Sequence, residues 1–479
     1  MSRVLQAVTQ RAVARPEKLA LAQGARRLTY AELAEEIERV SQALARVIPY
    51  ELGCVGVALG NGIAWVITDL ALIQLRRAAL PLPVFFTEAQ TESALRDAGA
   101  DWLISSEEGG VPIVIAGETV WLHRRDGDTT RLHPNTAKVT YTSGSTGAPK
   151  GVCLSQAQME RVAGSIVQRF GVGFAGVHAP ILPLGVLLEN VAGLYSVLLA
   201  GGCYCVESAV ELGCDNPFKP DFERMGATLR RVNATSLILV PELLRGVMAA
   251  SAFGRTQLPD LNLVAVGGAK VAPDLVSLAR SLKLPVFEGY GLTECASVVA
   301  VNAPNYDRLG TVGKPLDHIG LSLAADGEII VESDTYLGFA GQAPRQGATP
   351  TGDIGRVDDD GFLEVTGRKS NLIITSFGRN VSPEWVESEL LAEPVIRHAL
   401  VFGEGRPKLR ALIAPVFPNI ERDAVAACVE RANARLPAYA RIGEFELLAP
   451  LTTESGQLTG NGRPKRQTIL AAHAAFVNG

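Results

Sequence analysis

The chain has 479 residues, 47% hydrophobic and 20% charged, ordinary proportions for a globular protein but too many residues for one hydrophobic core. Its formal net charge of -5 leaves no electrostatic footprint for nucleic acid, which is excluded as a partner. Seven cysteines (54, 153, 203, 205, 214, 295 and 428) are scattered without a C-x-x-C pair or zinc spacing, so reduced thiols in a cytoplasmic protein are expected, with neither a structural metal nor a disulfide framework.

The opening stretch, MSRVLQAVTQRAVARPEK, contains arginines and no early acids, as transit peptides do. Its apolar positions Val4, Leu5, Val8, Ala12 and Val13 nevertheless follow helical spacing and run into Pro16, which predicts a first structural helix. LTYAELAEEIERVSQALA then opens with Thr29 and Glu32 as a capping box and places Leu33, Ile37, Val40 and Leu44 on one face. After it, short apolar strands (54–60, 79–84, DWLIS) alternate with helical patterns (64–78, 87–100), and the alternation resumes at 235–240, 262–269 and 285–291. This predicts an α/β fold with mostly parallel, doubly wound sheets. The most apolar run, 186–202, is about a membrane span long, but Glu189 and Asn190 within it indicate a buried helix and no transmembrane segment.

From about Gly310 the pattern changes to short strands and tight turns, with DDDGFLEVTGR reading as a hairpin whose Asp358, Asp359 and Asp360 form a solvated turn. A further strand, a helix from Ser382 with Pro383 at its first position, and the strand HALVFGEG follow. The expected division is a large unit over 1–367, a boundary at 368–371 and a small unit over 372–479.

The most specific stretch is KVTYTSGSTGAPKGVCLS, residues 138–155. A strand-like run ends at Thr142; Ser143, Gly144, Ser145, Thr146 and Gly147 follow, and Lys150 closes the loop before a second apolar strand. Glycines let backbone N–H groups approach an anion, hydroxyls add donors, and the lysine adds a mobile charge, which together make a polyphosphate cradle. Pro149 before the lysine and Gly151 after it exclude a Walker loop, which needs Gly-Lys-Ser/Thr running straight into a helix.

This loop resembles the signature of the adenylate-forming (AMP-binding) superfamily, which includes acyl-CoA synthetases, and the resemblance extends through ordered motifs from LTYAELAEEI to GNGRPKR. It implies a large N-terminal domain with doubly wound sheets and a small β-barrel-like part, plus a small mobile α+β C-terminal domain. EGYGLTEC (288–295) matches the second signature. There the resemblance places Glu288, Gly289, Tyr290 and Gly291 at the nucleotide, with Tyr290 on the adenine, Thr293 on the α-phosphate, and Glu294 with Thr142 at Mg²⁺. Gly267, Gly268 and Ala269 are expected to wall the adenine pocket, Asp353 to hold the ribose hydroxyls and Arg368 to lie near ribose or phosphate.

The implied chemistry is activation of a carboxylic acid by ATP to an acyl-adenylate with loss of pyrophosphate, then thioester formation with coenzyme A. Delivery to a separate carrier protein's phosphopantetheine, or a non-catalytic nucleotide-binding role on the same fold, are the alternatives. ITSFGRNVSPEWVE and LPLGVLLENVAGLY resemble the long-chain acyl-CoA synthetase branch, which makes a hydrophobic, fatty-acid-like acid the expectation, with Val186, Leu187 and Asn190 at the acyl pocket. The hinge aspartate of the family falls on Asn371. The family's C-terminal Gly-Lys falls on Gly462 and Arg463, with the nearest lysine, Lys465, two positions later. In an extended loop these two share a side; Lys465 is expected to be the catalytic cation and Arg463 is the alternative.

Overall fold

The computed structural model describes residues 2–48, 54–125, 132–142, 150–216, 220–252, 257–452, 455–459 and 462–478. Two large sheets dominate. Among the described residues one has eight strands, in the spatial order Gly338–Phe339, Lys150–Ser155, Thr136–Thr142, Ala78–Pro81, Cys54–Ala58, Ala100–Ser105, Glu118–Arg124, Val111–Ile115. Its centre is parallel and its margins antiparallel. The other has nine, and its parallel run passes through Cys203–Cys205, Val177–His178, Ser236–Leu239, Leu263–Val266 and Val286–Tyr290.

The first expected helix forms as Arg3–Ala14, with the Ser2 side chain accepting from the Leu5 N–H. The next, Tyr30–Val47, carries the full Thr29/Glu32 capping box and buries Leu33, Ile37, Val40 and Leu44, the stripe read from the sequence. Helix Ile63–Leu75 is buried on nearly every side, because it lies between the sheets instead of on the surface. The apolar run after Val186 is helical, but its first part, Glu189–Tyr195, is a π-helix that passes into the α-helix Ser196–Ala200. No described helix is long and apolar enough to cross a membrane.

The barrel-like part is a four-stranded antiparallel sheet ending in Thr349–Val357 and Leu363–Arg368. The turn between these strands differs from the solvated turn expected: Arg308 ion-pairs with Asp358 and, at 2.5 Å, with Asp360, while stacking over Phe362. Arg308 lies 50 residues upstream of Asp358, a separation that local patterning does not reveal.

After the 3₁₀ turn Lys369–Asn371, the chain forms a small domain with its own core, in which Ile396–Phe402, Leu409–Pro415 and Ile442–Leu447 make one sheet. Helix Pro383–Leu391 packs against it and begins as expected, with Ser382 as N-cap and Pro383 in its first turn. Asn371 adopts no positive φ; its amide donates to Glu384 at 2.5 Å, tying the expected hinge to that helix. The small domain docks through the Arg245 guanidinium, which donates to the Leu391 carbonyl at that helix's C-terminus (2.5 Å), and through Arg435, 3.6 Å from Asp274.

Candidate active site

Strand Val286–Tyr290 ends in the second signature, where Gly289 and Tyr290 pair with Ala300–Val301. The Tyr290 hydroxyl donates to one oxygen of Asp353 (2.7 Å), and Arg368 pairs with the other (2.9 Å). Asp353 and Arg368 face one another across the hairpin of the barrel-like sheet, which explains how positions 15 residues apart meet. Burial pushes the Asp353 carboxyl above its ordinary pKa, against the opposing pull of Arg368 and of the Tyr290 hydroxyl. Tyr290, Asp353 and Arg368, read separately from the sequence, thus form one cluster.

The glycine wall lies beside them. A side chain on Gly267 would come within 3.1 Å of the Gly289 carbonyl, and Gly268 has φ +83°, so both positions favour the residue they have. Thr293 and Glu294 occupy a short 3₁₀ turn, Thr293–Cys295, held by the Tyr336 N–H donating to the Glu294 carbonyl (2.7 Å). Gly291, just before it, is packed so closely that a Cβ would meet the Ser297 carbonyl at 1.7 Å.

The C-terminal loop reaches this wall. Gly462 turns at φ +80°, the Thr459 N–H donates to the Arg463 carbonyl (2.8 Å), and the Arg463 N–H donates to the Thr459 hydroxyl (2.9 Å). From Arg463 the chain continues as an extended arm in which Pro464 bridges Leu458, and the Arg463 guanidinium donates to the Gly268 carbonyl, 3.0 Å away. Arg463 keeps an exposed flank, yet surrounding protein and Arg368 together lower its pKa, desolvation being the larger cause. A guanidinium stays charged under such conditions, so the loop brings a partly dehydrated cation to the Gly267–Gly268 wall. Lys465 occupies the N-cap position of helix Arg466–Ala472 without a side-chain cap bond; its N–H donates to the Gln457 carbonyl, and its exposed ammonium has no ion pair among the described residues. Arg466 is structural: it ion-pairs with Glu387 and donates to the Val401 carbonyl.

The phosphate-loop residues Ser143, Gly144, Ser145, Thr146 and Gly147 lie outside the described residues, as does the Thr142 side chain. The strands that bracket the loop are antiparallel, with Thr142 opposite Lys150, which agrees with the strand, loop, strand reading and not with a Walker loop. The Lys150 ammonium sits 5.2 Å from the Phe339 ring centre. Glu294 makes no side-chain hydrogen bond or ion pair among the described residues, and such a free carboxylate fits Mg²⁺ that takes its remaining ligands from phosphates.

Glu288 stands apart from the cluster of Tyr290, Asp353 and Arg368. Its carboxyl is buried, takes a long hydrogen bond from the Val271 N–H (3.4 Å), and lines a cavity of about 670 Å³ with Lys270, Trp385 and Glu389. None of Tyr290, Asp353, Arg368 and Arg463 lines that cavity. Desolvation lifts the Glu288 pKa to about 8, with Lys270 pulling the other way.

At the expected acyl pocket, Val186 is half-buried and Leu187 buried. Asn190 departs from expectation, because its amide is engaged at both ends, accepting from Lys138 and donating to Asp69 (3.2 Å). Asp69 and Lys138 were missed from sequence; Asp69 is a charge inside the apolar run 63–73, a signal of a buried pair, whereas Lys138 sits among threonines and gives no such mark.

The model for AMP-binding enzymes matches residues 8–333, and that for the AMP-binding enzyme C-terminal domain matches 370–479. The chain belongs to the AMP-binding enzyme family. It is 31% identical over 426 residues to a 2-succinylbenzoate–CoA ligase of Geobacillus kaustophilus, covering 82% of this chain and 83% of the relative. A long-chain-fatty-acid–CoA ligase of Mycobacterium bovis is 33% identical over 245 residues, but across 44% of this chain and 40% of that one. Among solved structures, an anthranilate CoA ligase in complex with anthranoyl-AMP superposes with a TM-score of 0.83 at 19% identity, over 100% of this chain and 98% of that one. The family member described here is an AMP-forming acid–thiol ligase.

Proposed function

We propose that the enzyme joins a hydrophobic carboxylic acid with a compact cyclic body to coenzyme A through an acyl-adenylate. The observation that supports the reading is the convergence of Tyr290, Asp353 and Arg368 with Arg463, a cation from the small domain that donates to the Gly268 carbonyl. The cyclic body is favoured over a fatty chain because similarity to the succinylbenzoate ligase runs through most of both chains, whereas similarity to the long-chain ligase covers less than half.

In this reading Asp353 accepts from the ribose hydroxyls while Tyr290 and Arg368 fix its orientation. Gly267, Gly268 and Ala269 flank the base. The substrate carboxylate attacks the α-phosphorus of ATP and pyrophosphate leaves. Arg463, Lys150 and Thr293 stabilise the charge that builds on the phosphoryl oxygens, and Arg463 takes the part that the family gives to a lysine. Mg²⁺ bound at Glu294 would supply further neutralisation of the phosphates. The acceptor thiol then attacks the acyl carbon, and AMP leaves.

The test is acid-dependent exchange of labelled pyrophosphate into ATP over matched panels of aromatic and fatty acids, with acyl-CoA detected by mass. Exchange with aryl or other cyclic acids and a mass for the matching CoA thioester are expected. Exchange confined to fatty acids would reverse the substrate assignment, and none with any acid would sink the ligase reading.

A further inference from the structure

Lysine is poorly suited to the middle of a buried strand, yet Lys138 lies inside Thr136–Thr142 with 1% of its surface exposed. Its ammonium donates to Asp69 on helix Ile63–Leu75 (2.7 Å), to the Tyr195 hydroxyl oxygen (3.0 Å) and to the Asn190 carbonyl oxygen. Tyr195 and Asn190 in turn donate to the other Asp69 oxygen, at 2.7 and 3.2 Å, which closes the ring of bonds. Burial lowers the Lys138 pKa and the adjacent Asp69 opposes that shift.

Asn190 and Tyr195 belong to the π-helix that begins just after Val186 and Leu187. Glu189, the residue before Asn190, grips the other sheet: one of its oxygens accepts from the Tyr204 hydroxyl (2.9 Å) and pairs with His178 Nε2 (2.9 Å), whose Nδ1 meets the Ser236 hydroxyl (2.9 Å). Two successive residues of one helix therefore hold the two large sheets. A π-helix is a rare and costly form that tends to persist at functional sites, and here it allows these neighbours to serve opposite sheets.

A buried ion pair is a weak way to gain stability, since apolar side chains of like volume do as well or better. What the pair supplies is a fixed register. We propose that Lys138 is a positioning residue for adenylation: it fixes the strand pair Thr136–Thr142 and Lys150–Ser155 against the acyl-side helix, and so sets where the Lys150 ammonium meets the polyphosphate. The strand register transmits that setting, because Lys138 lies opposite Leu154 and Thr142 opposite Lys150. Lys138 itself, about 13 Å along the strand from Thr142, touches no substrate. The inference rests on the ligase reading for the identity of the nucleotide.

The test uses the full-length chain carrying Lys138→Met with Asp69→Asn, which removes both charges and keeps an acceptor and a donor for Tyr195 and Asn190. AMP and a β,γ-methylene analogue of ATP are titrated without acid. Analogue affinity is expected to fall about tenfold or more while AMP affinity stays within about twofold, because only the outer phosphates depend on Lys150. Tyr195→Phe, a milder variant that serves if the double variant does not fold, is expected to lose about threefold for the analogue alone. Parallel loss of both ligands, as from general destabilisation, or no loss in the folded variants, would overturn the proposal. The titration needs no acid, so absence of pyrophosphate exchange in the wild-type chain with any acid would refute the ligase reading, while selective loss of the analogue in the variants would still show that Lys138 positions Lys150 at a triphosphate.

Discussion

The guanidinium of Arg463 donates to the carbonyl of Gly268 across 3.0 Å, joining residues 195 apart in sequence and in different domains. Among the described C-terminal cations this contact distinguishes Arg463, since Arg466 is held by Glu387 and the exposed Lys465 ammonium makes no ion pair among the described residues. We expect Arg463→Ala to reduce the rate of pyrophosphate exchange by about 10²-fold, as loss of one preorganised charge-stabilising donor does elsewhere. Lys465→Ala should change it by less than about threefold. A greater loss from Lys465→Ala than from Arg463→Ala would return the role to the lysine.

Asp353 is the shared support of Tyr290 and Arg368, and its loss should affect binding more than chemistry. Asp353→Ala is expected to raise the KM for ATP by about tenfold or more, the scale of a charged hydrogen bond, because the ribose acceptor and both orienting contacts disappear together. Tyr290→Phe retains the ring and removes one hydroxyl, so a smaller rise of about threefold is expected. Steady-state kinetics with ATP varied at saturating acid distinguish these; a Tyr290→Phe effect equal to that of Asp353→Ala would mean that the hydroxyl, not the carboxylate, holds the nucleotide.

The buried Glu288 carboxyl gives a pH signature. Its pKa rises from 4.5 to about 8 in the folded state, chiefly by desolvation, so between those values the folded chain holds a proton that the unfolded chain has released. Stability from this group therefore falls as pH rises: the penalty is absent below pH 4.5 and complete above about 8. Glu288→Gln removes it. The melting temperature of the variant should exceed that of the wild type increasingly from pH 5 to pH 9, by an amount equivalent to a few kcal/mol at most, since a tenfold change in proton affinity is worth about 1.4 kcal/mol. Parallel melting curves across that range would show that the carboxyl is not desolvated as described.

What could be read from sequence follows the range of the interactions involved. The capping box at Thr29 and Glu32, the buried stripe of Tyr30–Val47 and the Ser382 and Pro383 helix start are set by residues within one or two turns, and all were legible. Tyr290, Asp353 and Arg368 were legible as motif members, though not as a cluster sharing one carboxylate, because the hairpin that joins the last two is a tertiary product. The Arg308 pairing to Asp358 and Asp360, and the ring of Asp69, Lys138, Asn190 and Tyr195, depend on separations of 50 residues and more, where sequence marks only a misplaced charge. The C-terminal loop was ambiguous for a different reason: Arg463 and Lys465 lie two apart on one extended arm, where Pro464 bridges Leu458, and only the tertiary contact of Arg463 with Gly268 distinguishes them.

Gly291 tests the second signature by space alone. It has no positive φ, so a side chain would meet no backbone strain there, but a Cβ would lie 1.7 Å from the Ser297 carbonyl and 2.8 Å from the Val298 Cα. Both obstacles are backbone, which cannot swing aside as a flexible side chain does. Gly291→Ala must therefore displace either the end of strand Val286–Tyr290 or the turn Thr293–Cys295, and with it the Thr293 hydroxyl and the Glu294 carboxylate. Overpacking of this kind costs about 1–3 kcal/mol. We expect the variant to fold with a lowered melting temperature and to lose pyrophosphate exchange by about 10²-fold, since small displacements of positioning groups carry penalties of that size. Gly361→Ala is the matched control: Gly361 has φ +84° with nothing within 4 Å of its Cβ, so backbone strain at a surface turn should lower stability and leave exchange intact. Equal exchange rates in the two variants would show that the crowding at Gly291 does not set the position of Thr293 and Glu294.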